Sequence, residues 1–268
     1  MLTATRTKIR SSLMTVMSSA ALKAARGLIH DFNEVEHLQV SRKGPGNFVS
    51  TADHRAEKAI RFELQKARPD FGFLLEESGE IPGSDSQHRW IVDPLDGTTN
   101  FLHGIPHFAT SIALQFENEI IAGVIYDPIK DELFYAEKGK GAYLNDRRLR
   151  VSGRKELSEA LITTERPYKR SEETEKFSLI CENIRPHVAA LRQFGASVLD
   201  LAYVAAGRSE GFVSPQLAPW DLAAGLILVQ EAGGYASDIN GGKDPLKTGS
   251  IVAANAYLYE PLLKMLQK

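Results

Sequence analysis

Cysteine is almost missing from this 268-residue chain, where Cys181 stands alone. That excludes an internal disulfide framework and any zinc site built on several thiolates, and it fits a reducing cytoplasm. Long apolar runs are missing too: none approaches the ~18 residues of a membrane span. Charge of one sign is likewise absent. With 32 Lys and Arg against 34 Asp and Glu, the formal net charge is −2, which offers no global pull toward nucleic acid or an anionic membrane. No basic stripe interleaved with aromatics is visible, so contact with nucleic acid or the transcription machinery has no support in the sequence. No Pro/Gly/Ser linker and no internal repeat divides the chain. Residues 1–268 therefore read as one compact unit of two halves, 1–150 and 151–268, with ample core.

What the chain does have is Trp90-Ile91-Val92-Asp93-Pro94-Leu95-Asp96-Gly97-Thr98-Thr99-Asn100-Phe101, an apolar strand running into a tight turn with two carboxylates. Trp90, Ile91 and Val92 favour a strand, Pro94 and Gly97 break it, and Thr98-Thr99-Asn100 can cap a helix. Carboxylates at a strand end can share cations, and the amides of Gly97 and Thr98 can hold a phosphate. The same residues also suit a plain turn in which Asp93 and Asp96 cap neighbouring amides, so the choice rests on the rest of the chain.

Arg6, Lys8, Arg10, Lys23 and Arg26 precede the first acid, Asp31, a bias that superficially resembles a transit peptide. Leu13, Val16, Met17, Ala20, Ala24 and Leu28 follow helical spacing, however, and predict a structural amphipathic helix. Residues 41–49 read as a loop. Ser50 or Thr51 then caps a second helix, with Asp53 in a first turn where its charge suits the helix dipole. Phe71-Gly72-Phe73-Leu74-Leu75 reads as a strand ending in Glu76-Glu77-Ser78. Two acidic strand ends so close would repel unless a cation lay between them, although a solvated acidic loop has the same composition.

Residues 81–88 read as a polar loop, and 108–116, 119–126 and 133–136 as antiparallel strands. From about Val151 strands and helices alternate: 160–164 strand, 172–184 helix, 198–206 helix, 211–213 strand, 250–255 strand and 257–267 helix, an α/β pattern. Residues 192–197 form a loop with amides before a helix, a second candidate anion contact. Asp221 occupies the N-cap position of a helix that is apolar nearly all round and ends at Gly233-Gly234. An N-cap Asp is ordinarily only a cap.

Three motifs stand in order: Leu75-Glu76-Glu77-Ser78, the 90–101 stretch, and Trp220-Asp221-Leu222-Ala223-Ala224-Gly225. Together with Gly139-Lys140-Gly141-Ala142 and Glu231-Ala232-Gly233-Gly234, they resemble the inositol monophosphatase family of Mg²⁺-dependent, lithium-sensitive phosphatases. The resemblance implies an α+β fold, a layered α-β-α-β-α sandwich, usually dimeric. It implies Glu76, Asp93 and the Leu95 carbonyl as ligands of one Mg²⁺, and Asp93, Asp96 and Asp221 as ligands of another, with two or three Mg²⁺ per site. An all-oxygen donor set suits Mg²⁺ or Mn²⁺ rather than Zn²⁺.

The resemblance further implies that Glu76 and Thr98 orient the attacking water and that Asp53 helps to accept its proton. Glu77 matches an acidic position behind the first metal. Leu95, Asp96, Gly97, Thr98, Arg192, Gly195, Ala196, Ser197 and Asp221 match positions that line the substrate, although Arg192 reads equally as a surface residue. The substrate expected is a small phosphate monoester, inositol 1-phosphate first. One departure matters: where the inositol-specific pattern has a Glu seven residues before the motif Asp, this chain has Ser214. Fructose 1,6-bisphosphate, histidinol phosphate and nucleotide phosphates therefore stay open.

Two rivals are weighed. A haloacid-dehalogenase-type enzyme also carries Asp-Gly-Thr after a strand, but its acids are two apart, whereas Asp93 and Asp96 are three apart with Pro94 between and cannot point the same way from one strand. A binding protein associated with transcription or ribosome assembly is the alternative of another class, because relatives of this kind act so.

Overall fold

The computed structural model describes residues 10–35, 40–44, 47–167 and 172–267. Arg6, Lys8, Pro45 and Gly46 lie outside the described residues. Helix α1 (Ser12–Asn33) begins at Ser11, whose side chain accepts the Met14 amide, and it buries Met14, Met17, Ala21, Ala24 and Leu28 at helical spacing. Residues 41–49 read as a loop, but the described ones belong to two antiparallel strands, β1 (Val40–Gly44) and β2 (Asn47–Ser50), with Val40 opposite Ser50. Single-sequence turn chemistry does not see the partner strand that makes these residues extended. Helix α2 (Thr51–Ala67) opens with a reciprocal capping box between Ser50 and Asp53.

Then follow β3 (Phe71–Leu75), β4 (Gly79–Ile81) and β5 (Asp85–Asp96), so the expected polar loop at 81–88 shrinks to residues 82–84. Pro94 does not end β5. The strand continues to Asp96 through a bulge opposite β6, where Asp93 pairs Ser111 and Asp96 pairs Ala109, and a bulge is where a residue without an N–H is tolerated inside a sheet. A short helix α3 (Thr98–Leu102) leads to β6 (Ala109–Phe116), β7 (Glu119–Asp127), β8 (Glu132–Glu137), β9 (Gly141–Leu144) and β10 (Arg147–Arg148).

The remainder is β11 (Leu161–Thr164), α4 (Glu172–Ile184), β12 (Ala190–Arg192), α5 (Ser197–Ala205), β13 (Gly211–Ser214), α6 (Pro219–Glu231), β14 (Tyr235–Ser237), α7 (Pro245–Thr248), β15 (Ile251–Ala254) and α8 (Tyr259–Leu266). The sequence reading lacks β12, β14 and α7, which are three or four residues each and too short to show a period.

Sheet order is β10-β9-β8-β7-β6-β5-β3-β4 in the larger sheet and β12-β11-β13-β15-β14 in the smaller. In the smaller sheet β11 runs parallel to β12 and β13, while β15 is antiparallel to β13 and β14, so the α/β half closes on an antiparallel edge. One face of the large sheet packs on α1 and α2 through Trp90, Val92, Ile112, Met17 and Ile60. Its other face meets α5 and α6 through Ile91, Ala113, Ile125, Leu201 and Ile227, and the same helices touch Phe212 and Ala253 of the smaller sheet. Ile162, Val213 and Val252 face α4 and α8 through Ile184 and Leu262. These are the α-β-α-β-α layers of the expected α+β sandwich, and α6 is apolar all round because it has a sheet on each side.

Close approach of α6 to β7 depends on Gly123. A Cβ there would lie 2.8 Å from the Ile227 side chain and 2.9 Å from the Ala224 backbone. Gly123→Ala is therefore expected to lower stability by ~1–3 kcal/mol, measured as a shifted urea midpoint with unchanged m-value; an unaltered midpoint would contradict this packing.

Candidate metal centre

Strand register brings the first two acidic segments together. β3 and β5 are parallel with Leu75 opposite Val92, and the Glu76 amide donates to the Val92 carbonyl at 3.2 Å, so Glu76 follows β3 just as Asp93 follows Val92. Both lie at strand C-terminal ends, where open parallel sheets present their ligand crevices. Across the bulge, the Leu95 amide donates to Asp93 Oδ1 at 2.9 Å, and the bulge changes which way Asp96 faces. The expectation that Asp93 and Asp96 cannot point the same way from one strand fails here, because the bulge breaks the strict alternation of side chains. Asp93 and Asp96 converge here.

The third acid arrives from the middle helical layer. Asp221 is not the N-cap: Ala218 is, and Asp221 sits in the first turn of α6, accepting the Ala218 amide at 2.9 Å. Asp93, Asp96 and Asp221 each offer an oxygen within 4.8 Å of the others, and all three are buried. Helix α5 also starts here, where the Val198 amide donates to Asp96 Oδ2 at 2.8 Å. This amide at the helix start thus holds a carboxylate belonging to the protein itself. In each of the three Asp residues one oxygen accepts a backbone N–H, which fixes its orientation.

The proposed general-base pair is also assembled. Thr98 Oγ1 donates toward the Leu95 carbonyl at 3.0 Å and lies 3.3 Å from Asp53 Oδ1. Asp53 Oδ2 is taken by the Ser50 amide and hydroxyl at 2.8 and 2.6 Å. Neither Thr98 nor Asn100 caps α3. Gly97 does, at φ +87°, and a Cβ there would sit 2.9 Å from the His107 carbonyl and 3.2 Å from that of Gly195. Asn100 Nδ2 instead donates to the carbonyls of Phe194 at 2.8 Å and His107 at 2.9 Å, which docks the 194–196 loop on the turn. Gly195, Ala196 and Ser197 therefore neighbour the site. Arg192 is exposed on β12, its guanidinium donating to the Leu191 carbonyl at 3.1 Å. Ser214 is fully buried and donates to the carbonyls of Glu165 and Gln216 at 3.2 and 3.4 Å.

Three buried acids around the site, Glu57 on α2 among them, are not singled out by the sequence reading. Glu165 directly follows β11, and Asp200 lies in the first turn of α5; both are buried. The signal for Glu165 was available, since it directly follows a run of strand-forming residues, as Glu76 and Asp93 do. Burial, followed by repulsion from Glu76, Asp96 and Asp221, raises the proton affinity of Asp93 well above the ordinary carboxylate range. Burial and then Asp221 do the same for Asp96, against the opposing pull of the Val198 amide. Asp221 is pushed up to about 7 by burial and then by Glu76, and Glu165 to about 7 by burial. Asp200 moves the same way for the same first cause, with Glu165 and Asp96 adding to it. A buried, all-oxygen set whose charges oppose one another fits a hard divalent cation.

The sign of the pH dependence follows from these shifts. With a chelator present, the folded state keeps protons that the unfolded chain releases near pH ~4. Stability therefore falls as pH rises from about 4 through about 7, the folded-state value of Asp221 and Glu165. Thermal melts with chelator should show this decline, and added divalent cation should raise Tm more at about pH 8 than at about pH 5. A Tm that rises through this window in chelator would contradict the shifts.

Comparison with known proteins gives the same answer along nearly the whole chain. The sequence model of the Inositol monophosphatase family matches residues 8–268. The chain is 54% identical over 259 residues to the inositol-1-monophosphatase of Mesorhizobium japonicum, covering 97% of each. It is 40% identical over 251 residues to the Nus factor SuhB of Escherichia coli, covering 94% of each. Among solved structures, the extragenic suppressor protein suhB of Bartonella henselae superposes with a TM-score of 0.93 at 53% identity, over 96% of this chain and 99% of that one. Layer order, acidic strand ends and similarity from end to end agree, and the protein belongs to the inositol monophosphatase family.

Proposed function

We propose that the protein is a Mg²⁺-dependent phosphatase that hydrolyses small phosphate monoesters, inositol 1-phosphate first among them. The observation that carries this reading is the convergence of Asp93, Asp96 and Asp221 within 4.8 Å, with Glu76 against Asp93. A phosphate monoester is a dianion that four carboxylates alone would repel. Glu76, Asp93 and the Leu95 carbonyl would hold one Mg²⁺, and Asp93, Asp96 and Asp221 a second. When bound, such a pair supplies the positive charge that attracts the phosphate and acidifies a water for in-line attack.

The chain's own residues do the rest. The Thr98 hydroxyl, between the Leu95 carbonyl and Asp53 Oδ1, orients the attacking water together with Glu76 and passes its proton toward Asp53. The amides of Gly97 and Thr98 hold phosphoryl oxygens, and Gly97 permits the tight approach because a Cβ there would strike the His107 carbonyl. Phosphorus gains the water oxygen, the ester P–O bond breaks, and the departing alkoxide takes up a proton. Gly195, Ala196 and Ser197 face the alcohol portion, with Arg192 at the outer margin. Lithium inhibition follows from the family.

Inositol 1-phosphate is supported by the 54%-identical relative bearing that activity in its name. Ser214 bears on selectivity: its hydroxyl is turned to the Glu165 and Gln216 carbonyls, so this position presents no carboxylate to the hydroxyls of a sugar ring. Fructose 1,6-bisphosphate, histidinol phosphate and nucleotide phosphates therefore belong in the substrate panel. A homodimer is part of the proposal, supported by exposed Ile105 and Phe194, both tied to Asn100. A cytoplasmic location fits the lone cysteine, and no helix among the described residues is long and apolar enough to cross a membrane. The 40% identity to a Nus factor supports a second, non-catalytic role in contact with the transcription machinery.

Asp93→Asn and Asp221→Asn are each expected to lower Mg²⁺-dependent phosphate release roughly a thousandfold or more, the scale of loss when a group acting on the reacting atoms is removed, with the far-UV CD spectrum retained. Near-normal turnover in either variant would overturn the assignment. If a cellular phenotype of the deletion is complemented by Asp93→Asn, that phenotype belongs to the binding role.

A further inference from the structure

Glu57 is a buried carboxylate that the proposed chemistry does not use. It is 3% exposed and lies on α2 one helical turn beyond Asp53. Its two oxygens accept from two successive residues of the β3–β4 turn: the Glu77 amide donates to Oε2 at 2.8 Å, and the Ser78 hydroxyl donates to Oε1. Glu76, immediately before them, is tied on its other side to β5 by the bond from its amide to the Val92 carbonyl. The residue with its carboxylate against Asp93 is therefore anchored before and after, once by the sheet and once by α2.

Residues i and i+4 share a helix face about 6 Å apart along the axis. Asp53 reaches Thr98 on the turn after β5, and Glu57 reaches the turn after β3. One rigid helix thus spans the two loops that carry the proposed water-orienting groups. Burying a carboxylate is costly unless its oxygens are paired, and both oxygens of Glu57 are directed to this one turn.

We propose that Glu57 is a positioning residue: through the Glu77 amide and the Ser78 hydroxyl it holds Glu76 at the separation from Asp93 that a shared divalent cation requires. The inference rests on the reading of Glu76 and Asp93 as metal ligands. Partners one step behind metal ligands commonly set affinity by roughly 10–100-fold. The identity of the group matters in a specific way. A carboxamide can still accept the Glu77 amide through its oxygen and donate its NH₂ to the Ser78 hydroxyl, whereas a methyl group can do neither.

The test is Mg²⁺ titration calorimetry on the substrate-free protein, together with the Mg²⁺ dependence of phosphate release. Glu57→Ala should weaken Mg²⁺ binding ~10–100-fold with its far-UV CD retained, and kcat at saturating Mg²⁺ should fall much less than affinity. Glu57→Gln should recover most of the affinity. Wild-type Mg²⁺ affinity in folded Glu57→Ala, or equal damage in Glu57→Gln, would overturn the inference. If Glu57→Ala does not fold, Ser78→Ala decides: a loss of about threefold or more supports the clamp, and unchanged affinity removes it. Should the wild type bind Mg²⁺ no better than Asp93→Asn, the metal reading itself fails, a result distinct from a wild type that binds well and a Glu57→Ala variant that matches it.

Discussion

Mutual repulsion among carboxylates is the constraint around which this molecule is arranged. Asp93, Asp96 and Asp221 are buried within 4.8 Å of one another, with Glu76 against Asp93 and Glu165 in their field. Like charges at such separations in a poorly solvated site keep one another protonated or demand a cation. The raised proton affinities and the fitness for a divalent ion are two expressions of one electrostatic fact. Separating the acids would relieve the strain, so the fold has to prevent it.

It does so by giving every acid a separate backbone anchor. The parallel register of β3 and β5 sets Glu76 beside Asp93. The bulge in β5 swings Asp96 to the same side, and the Leu95 amide pins Asp93. The starts of α5 and α6 supply the Val198 and Ala218 amides to Asp96 and Asp221, where helix N-termini favour negative charge. These two helices can deliver their ends to one place because they lie packed between two sheets. Glycine at 123 lets the large sheet approach α6 closely. Core packing and site geometry are therefore the same problem solved once, and rigidity in the middle layer is what preorganises the site.

Selectivity is separable from this scaffold. The groups that would meet the phosphate come from the β5–α3 turn, whereas those near the alcohol come from the 194–197 loop and the end of β13, where Ser214 faces inward to carbonyls. A short hydroxyl at this position, bonded to the Glu165 and Gln216 carbonyls, leaves the acidic cluster of Asp93, Asp96 and Asp221 untouched. The relatives of this chain bear both an enzyme's name, inositol-1-monophosphatase, and the name Nus factor SuhB, as expected when one fold hosts more than one role.

Local signals were sufficient for much of this. Met17, Ala24 and Leu28 announce α1 by their period. Ser50 with Asp53 announces the start of α2, and the apolar runs before Glu76 and Asp93 announce strands, because each signal depends on neighbours within a turn or two along the chain. The candidate ligands were legible for the same reason, together with their resemblance to a known family. Hidden were the pairing of β1 with β2, the passage of β5 through Pro94, the true cap of α6 at Ala218, and the acids Glu165, Asp200 and Glu57 around the site. Each of these is decided by a partner distant in sequence: a strand opposite, an amide from another helix, a turn one layer away. The sequence by itself determined which residues are acidic, which segments are apolar, and the composition of a cation site. Tertiary structure alone decided that these acids meet, because only register, bulge and the packing of α5 and α6 between two sheets can hold like charges together against their repulsion.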